Sequence, residues 1–98
     1  MAQPADLLPH ADAAALLLRA LANPQRLLIL CNLADGELSV GELNARLPLS
    51  QSALSQHLAV LRENEIVITR KVAQTVYYSL ADGPAAEVIG TLHGIYCA

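Results

Sequence analysis

The chain has 98 residues, which corresponds to a single domain, 1–98, with a modest core that a partner subunit would help to complete. Hydrophobic residues make up 54% of it but aromatic residues only 3%, so its apolar content is mostly aliphatic and favours helix. The longest apolar runs, 13–18 and 27–31, are far shorter than the roughly 20 residues that cross a bilayer, and no basic segment precedes an apolar stretch at the amino terminus. We therefore expect a cytoplasmic protein with neither a membrane-spanning nor a secretory segment.

Charges are unevenly distributed along the chain, although its formal net charge is −3. Residues 44–78 carry four basic and two acidic side chains, whereas the rest of the chain carries two basic and seven acidic ones. This asymmetry indicates one cationic surface on an acidic body, as in a protein that binds nucleic acid through one face. An ordinary solvated face is the alternative explanation for a difference of this size.

Apolar periodicity and capping residues predict four helices in the first two thirds of the chain. The last three each begin at a side chain that can accept a backbone N–H. In order, the predicted helices are 12–21, which ends before Asn23-Pro24; one capped by Asn23 that stops at Asp35-Gly36; a short one that begins with the capping box of Ser39 and Glu42 and ends near Leu47-Pro48; and one capped by Ser50 that runs to about Arg62.

The helix that begins at Ser50 is amphipathic in an unusual way. At 100° per residue, its two faces are Leu54, Leu58 and Leu61 on one side and Ser52, Ser55, Gln56 and Ala59 on the other. A solvated face normally carries Lys and Glu, whereas amide and hydroxyl groups can pair with the edges of DNA bases. His57, on the flank, could reach a phosphate or bridge to the preceding helix. The pattern predicts a helix that reads DNA; a soluble helix that is enriched in Ser and Gln by chance is the alternative.

Two β-rich runs, 66–71 and 75–80, follow this helix and predict a hairpin whose connection is Val72-Ala73-Gln74. A helix pair followed by a hairpin is the winged helix-turn-helix plan, in which the second helix enters the major groove. Arg70 and Lys71 would then contact phosphates, although charges on an edge strand also discourage aggregation. The predicted fold is therefore mainly α with a small β-hairpin. The predicted DNA-binding residues are Ser50, Gln51, Ser52, Ser55, Gln56, His57, Arg62, Arg70, Lys71 and Gln74.

Several stretches of the chain carry a more specific pattern. They are 49–58 with Leu61-Arg62, Thr69-Arg70-Lys71 with 74–80, and, upstream, 20–24 with Arg26-Leu27. Together these residues resemble the ArsR/SmtB family of winged helix-turn-helix repressors. The resemblance implies five helices and a two-stranded wing, a homodimer that joins through its first and last helices, and release of operator DNA when a ligand acts.

The resemblance also implies a last helix at about 84–97. Its apolar residues recur at helical spacing and are Ala85, Val88, Ile89, Leu92, Ile95 and Tyr96. Such a stripe would be core in any small protein, but as the terminal element of this family we expect it to pack against a partner subunit.

The best-known metal sites of that family do not match this sequence. Where a metal-binding member carries Cys-Val-Cys, this chain has Ser39-Val40-Gly41, and its last helix offers only Glu87 and His93. We therefore predict neither a metal site nor a cofactor. The rival hypothesis is a soft-metal or arsenite site in which His93 and Cys97, one helical turn apart, are joined by Cys31.

The two cysteines, Cys31 and Cys97, together with the stretch 92–97, resemble the dithiol branch of the family, the BigR/SqrR/HlyU type. That branch responds to reactive sulfur species or oxidants by linking two cysteines, which implies that linkage of Cys31 to Cys97 switches operator binding. Linkage requires the thiols to approach within disulfide or polysulfide reach, and Cys97, near a helix end, is the better candidate for exposure. Without the resemblance, Cys31 among its leucines would be an ordinary core residue.

Other function classes find less support in the residues. The sequence has no glycine-rich phosphate loop, no paired carboxylates in a pattern typical of a cleft and no nucleophile beside a base, since Ser55 and His57 point in different directions on one helix. We therefore predict no enzymatic activity. The remaining alternatives are a domain that binds a protein instead of DNA and a DNA-binding antagonist of another repressor in which the cysteines are structural.

Overall fold

The computed structural model of the protein describes residues 4–97, and its elements follow the order of a winged helix-turn-helix. They are α1 (Pro4–Leu7), a 3₁₀ turn (Leu8–His10), α2 (Ala11–Leu21), α3 (Pro24–Leu33), β1 (Leu38–Ser39), α4 (Val40–Arg46), α5 (Gln51–Glu63), β2 (Val67–Val72), β3 (Thr75–Leu80) and α6 (Pro84–Tyr96). The five predicted helices correspond to α2 through α6, and the predicted hairpin corresponds to β2 and β3, which confirms the fold class. The sequence did not predict α1, the 3₁₀ turn or β1.

Local hydrogen bonds explain why α3, α4 and α5 begin where they do. Asn23 Oδ1 accepts a backbone N–H of the first turn of α3 at 2.9 Å, and Ser50 Oγ accepts one in α5 at 3.1 Å. Ser39 and Glu42 form the predicted capping box, in which Glu42 Oε1 accepts the N–H of Ser39 at 2.9 Å. These acceptors satisfy donors that have no partner inside the helix, and all three predicted caps are confirmed.

The three strands form an antiparallel sheet in the order β1-β3-β2, so β2 is an edge strand. Val72 belongs to β2 and pairs with the first residue of β3, which makes Ala73-Gln74 a two-residue turn and corrects the three-residue connection that was predicted. Ala73 has a φ of 55°, in the left-handed region that tight hairpin turns use. Ile66, predicted to open the first strand, instead lies in the turn between α5 and β2, where its N–H donates to the carbonyl of Leu61 at 3.0 Å.

Apolar side chains of α3 and α5 form the centre of the core. The largest fully buried side chains are Ile29, Leu30, Leu33, Leu43, Leu54, Leu58, Leu61, Ile66, Val67 and Ile89. Each large aliphatic side chain stabilises the fold by about 1.5–3 kcal/mol when it is buried, so the leucine face of α5 fixes the orientation of the whole helix. Within residues 4–97 no single helix is long and apolar enough to cross a membrane. Leu8–Leu21 and Pro24–Leu33 pass that test only as a pair bent by 89°.

The last helix, α6, is core on one side and exposed at its outer end. Ala85 and Ile89 are buried, whereas Ile95 and Tyr96 keep 64% and 81% of their surface exposed. The predicted apolar stripe therefore divides into a part that completes this subunit and a part that this subunit leaves uncovered. The helix ends at Tyr96, and Cys97 caps it through a backbone hydrogen bond to the carbonyl of His93.

Candidate DNA interface and cysteine pair

One face of α5 presents short neutral side chains to solvent. The exposed residues of this face and of the preceding turn are Ser50, Gln51, Ser52, Ser55, Gln56 and Ala59. They lie opposite the buried leucines of the same helix, as the periodicity predicted. Hydroxyl and amide groups at these positions can both donate and accept hydrogen bonds, so the face carries the chemistry that base edges require.

His57, on the flank of α5, contacts α3. Its Nε2 lies 2.7 Å from Oε1 of Gln25, within hydrogen-bond distance. The sequence suggested a bridge to the preceding helix, α4, and this choice of partner is wrong because Gln25 lies in the first turn of α3. The bond joins α5 to a residue of α3 that lies 32 positions earlier in the chain.

Strand alternation separates the two basic residues of the wing. Val67 is buried against the core, and Lys71, four residues later, lies on the same face of β2. Arg70 lies on the opposite face, where its strand neighbour Ile68 is exposed. The wing thus directs Lys71 to the side of the sheet that packs on α5 and Arg70 to the outer side.

Arg70 has a partner within the chain. Its Nε–H donates to Glu37 Oε2 at 3.2 Å, its second nitrogen donates to Glu37 Oε1, and its Cζ lies 5.1 Å from the centre of the Tyr77 ring. The hydrogen bonds lower the pKa of Glu37 and raise the pKa of Arg70. The sequence predicted a phosphate contact for Arg70 and gave no signal for Glu37, since the pair is separated by 33 positions.

Two grooves flank α5. One, of 550 Å³, is lined by Ser55, Ala59, Val60, Arg62, Glu63 and Tyr78. The other, of 590 Å³, is lined by Ser39, Val40, Gly41, Gln51, Ser55, Gln74, Thr75 and Val76. Arg62 and Gln74 therefore reach the surface beside α5. Tyr78 and Thr75 each add a hydroxyl that the sequence analysis missed, and the alternation along β3 could have indicated Tyr78, which pairs with Thr69 on the face of Lys71.

The two cysteines lie on neighbouring helices and are both free thiols. Cys31, in α3, is partly buried against the core, whereas Cys97, at the end of α6, is exposed. Burial raises the pKa of the Cys31 thiol, and the charge of Cys97 raises it further. Helices α3 and α6 pack against each other, and of the two thiols Cys97 is the more accessible.

The rival metal site is not assembled in this structure. Among the described residues, no group of three His, Cys, Asp or Glu side chains is placed to hold a metal ion. His93 is exposed in the last turn of α6, and it forms no such group with Cys31 and Cys97.

The helices α3, α4 and α5, the two-stranded wing that follows them, and the exposed polar face of α5 define a winged helix-turn-helix protein. Residues 23–69 match the bacterial regulatory proteins of the arsR family. The chain is 60% identical over 84 residues to the transcriptional activator HlyU of Vibrio cholerae, an alignment that covers 86% of this chain and 78% of that protein.

Solved structures agree with this assignment. Reduced HlyU from Vibrio cholerae superposes with a TM-score of 0.89 at 54% identity, covering 95% of this chain and 98% of that one. The transcriptional repressor BigR from Xylella fastidiosa superposes with a TM-score of 0.90 at 40% identity and covers 99% of each chain. The chain belongs to the arsR family of bacterial regulatory proteins, which are DNA-binding transcriptional regulators and not enzymes. The family resemblance predicted from the sequence is confirmed.

Proposed function

We propose that the protein is a cytoplasmic, homodimeric repressor that binds an operator in duplex DNA through the exposed face of α5. The observation that carries the proposal is the neutral character of that face, which is held outward by the buried leucines behind it. In a winged helix-turn-helix the corresponding helix enters the major groove. Gln56, exposed on this face, can pair with N6 and N7 of adenine, and Ser52 and Ser55 can donate to or accept from neighbouring bases.

Residues at the edges of α5 are suited to the DNA backbone. Contacts to phosphates fix the register of a protein on the duplex, whereas contacts to bases specify the sequence. Arg62 borders one groove beside α5, and Gln74 borders the other near the tip of the wing. We assign phosphate contacts to Arg62 and Lys71, with Gln74 beside them and Ser50 and Gln51 at the entry to the helix, whereas His57 is held by Gln25.

The dimer of the proposal joins through α2 and α6. Leu16 and Leu18 of α2 are each 55% exposed, and Ile95 of α6 is also mostly exposed. Gly90 and Gly94 lie within α6, although a Cβ atom at either position would meet no atom within 4 Å in this subunit. Glycine inside a helix costs about 1 kcal/mol relative to alanine, and a closely packed partner helix would account for it. A symmetric dimer presents two copies of α5 to two half-sites.

A binding experiment tests the recognition face directly. The wild-type protein is used to select duplexes from a random library, and the affinity for the selected duplex is measured by gel shift for Gln56→Ala and for Asn32→Ala. Asn32 is a matched control, because its side-chain amide donates to the carbonyl of Leu28 within α3. Loss of a bidentate base contact reduces affinity about five- to hundredfold per site, so Gln56→Ala should bind weakly and Asn32→Ala normally. Unchanged binding by Gln56→Ala would contradict the assignment.

We propose further that linkage of Cys31 to Cys97 weakens operator binding. An oxidant that contains an S–S bond, such as a disulfide or a polysulfide, accepts two electrons from the two thiolates. The new S–S bond forms between the cysteines as the bond of the oxidant breaks, and the oxidant leaves as two thiols. The link would tie the end of α6 to α3, which packs on α5, and so connect the dimer helix to the recognition helix.

Support for the switch comes from the packing of α3, which carries Cys31, against α6, which Cys97 follows, and from the accessibility of Cys97. Gel shifts of protein treated with oxidised glutathione or sodium tetrasulfide, paired with intact-mass analysis, test it. Linked wild-type protein should bind the selected duplex more weakly than reduced protein, and Cys31→Ser and Cys97→Ser should not switch. Unchanged affinity after confirmed intramolecular linkage, or retained switching in Cys31→Ser, would contradict the proposal.

A second candidate role has a specific observation in its favour, since the relative HlyU is named as a transcriptional activator. Activation would result if the protein displaced another repressor from DNA. Transcription in vitro from a promoter that carries the selected duplex separates the two roles. A repressor lowers the transcript in the absence of any other regulator, whereas an antagonist of another repressor leaves it unchanged.

A further inference from the structure

Glu37, Arg70 and Tyr77 connect all three strands on the outer side of the sheet. Ser39 of β1 pairs with Tyr77 of β3, and Tyr77 pairs with Arg70 of β2, so these three residues lie side by side across the sheet. Glu37 lies just before β1, and its carboxylate accepts two hydrogen bonds from the guanidinium group of Arg70, which also lies 5.1 Å from the centre of the Tyr77 ring. We call Glu37, Arg70 and Tyr77 the wing clamp.

The wing clamp joins the wing to the beginning of the helix-turn-helix. Ser39, two residues after Glu37, is the N-cap of α4, so the clamp fixes Arg70 relative to the helix that precedes α5. β2 is an edge strand, and its outer half and the following turn are exposed. The clamp therefore restrains the part of the wing that the buried core does not hold.

The wing clamp also makes the two basic residues of the wing, Arg70 and Lys71, differ in their ionic partners. Arg70 is balanced by Glu37 on the outer face, whereas Lys71, on the face toward α5, forms no ion pair with the residues that the structure describes. To reach a phosphate, Arg70 would have to leave a bidentate carboxylate, which forms hydrogen bonds about twice as strong as neutral ones, and also leave an aromatic ring. Lys71 can reach one without giving up an ionic partner.

We propose that Arg70 is a positioning residue, which holds the wing against the helix-turn-helix through Glu37 and Tyr77, and that Lys71 makes the phosphate contact of the wing. The inference rests on the proposed DNA-binding function and deepens it. It replaces the direct phosphate contact that the sequence predicted for Arg70 with a contact inside the protein.

The salt dependence of DNA binding separates the two roles, because each phosphate that a protein neutralises contributes about 0.9 to the slope of log affinity against log salt. Glu37→Gln/Arg70→Gln removes the clamp at constant net charge, and Glu37→Arg/Arg70→Glu reverses it at constant net charge. Lys71→Gln removes the free cation and leaves the clamp intact. Binding of the selected duplex is measured by fluorescence anisotropy over a series of KCl concentrations.

Lys71→Gln should lower the slope by about 1.8, since a symmetric dimer carries two wings. The double-glutamine variant should keep the wild-type slope but bind about two- to thirtyfold more weakly, as two surface ion pairs are lost. The reversed pair should bind more tightly than the double-glutamine variant, again with the wild-type slope. Hydrogen exchange of the β2 amides should be faster in the double-glutamine variant than in the wild type, and the reversed pair should exchange more slowly than the double-glutamine variant.

A double-glutamine variant that binds as the wild type does, or whose slope falls as that of Lys71→Gln does, would overturn the proposal. A reversed pair that binds no better than the double-glutamine variant would also overturn it. Failure of the wild-type protein to select any duplex would instead contradict the proposed function, so the two failures are distinct.

Discussion

Replacing Ile95 with alanine should weaken the proposed dimer while leaving the folded subunit almost unchanged. Ile95 keeps 64% of its surface exposed in the single chain. Complete burial of such a side chain is worth about 1.5–3 kcal/mol, so a partner that covered the exposed part would gain about 1–2 kcal/mol from each copy. Two copies meet in a symmetric dimer, which gives about 2–4 kcal/mol and a rise of about 30- to 1000-fold in the dimer dissociation constant.

Ile89→Ala in the same helix is the matched control, because Ile89 is completely buried in its own subunit. Truncating a buried isoleucine costs about 2–5 kcal/mol through lost transfer energy and the cavity left behind. Urea unfolding at a protein concentration low enough for the wild type and both variants to be monomeric should therefore show a large loss of stability for Ile89→Ala and a small one for Ile95→Ala.

Sedimentation velocity over a range of protein concentrations measures the dissociation constant. Ile95→Ala should become monomeric at concentrations where the wild type is dimeric. If Ile95→Ala kept the wild-type dissociation constant, the outer end of α6 would lie outside the interface and the estimate from its exposed area would be refuted.

Three further predictions concern single residues. Ala73→Gly should raise the free energy of unfolding in urea by about 0.5–1 kcal/mol, because the φ of 55° strains alanine but not glycine. Iodoacetamide should modify Cys97 before Cys31 in a mass-spectrometric time course, since the raised pKa and burial of Cys31 reduce its thiolate and its access. Hydrogen bonds from Ser39 lower the pKa of Glu42 below its unfolded value of 4.5. The ionised carboxylate therefore stabilises the fold at pH values above 4.5, and this contribution is lost as the pH falls through the folded pKa. Glu42→Gln should therefore be less stable than the wild type at pH 7, and urea titrations should show the difference shrinking below pH 4.5.

The features that the sequence predicted depend on neighbours within a few positions. Asn23, Ser39 and Ser50 each cap a helix by accepting an N–H two or three residues ahead, so the cap and its partner can be read together. The two faces of α5 follow in the same way from a period of 3.6 residues. For these reasons the helix-turn-helix and its exposed polar face could be derived before the structure was considered.

The features that the sequence missed depend on chain segments that are far apart. The two residues of β1 have no strand signal of their own and are extended because they pair with β3, about forty positions later. The partners of His57 and Arg70 are 32 and 33 positions away, so no spacing rule could find them. The wing turn was misjudged because Ala73 has no preference for the left-handed region, which the pairing of Val72 imposes on it.

The acidic character of the chain constrains how it can bind DNA. With a net charge of −3 and Arg70 balanced by Glu37, each subunit offers few free cations beside α5, chiefly Arg62 and Lys71. Four such contacts in a dimer give a salt slope of only about −3.6, so the affinity that does not depend on sequence is small. Under the proposed function, stable binding must then come from base contacts of the neutral face of α5. We therefore expect weak binding to random DNA and a strong dependence on the fit of Gln56 and its neighbouring serines to one operator.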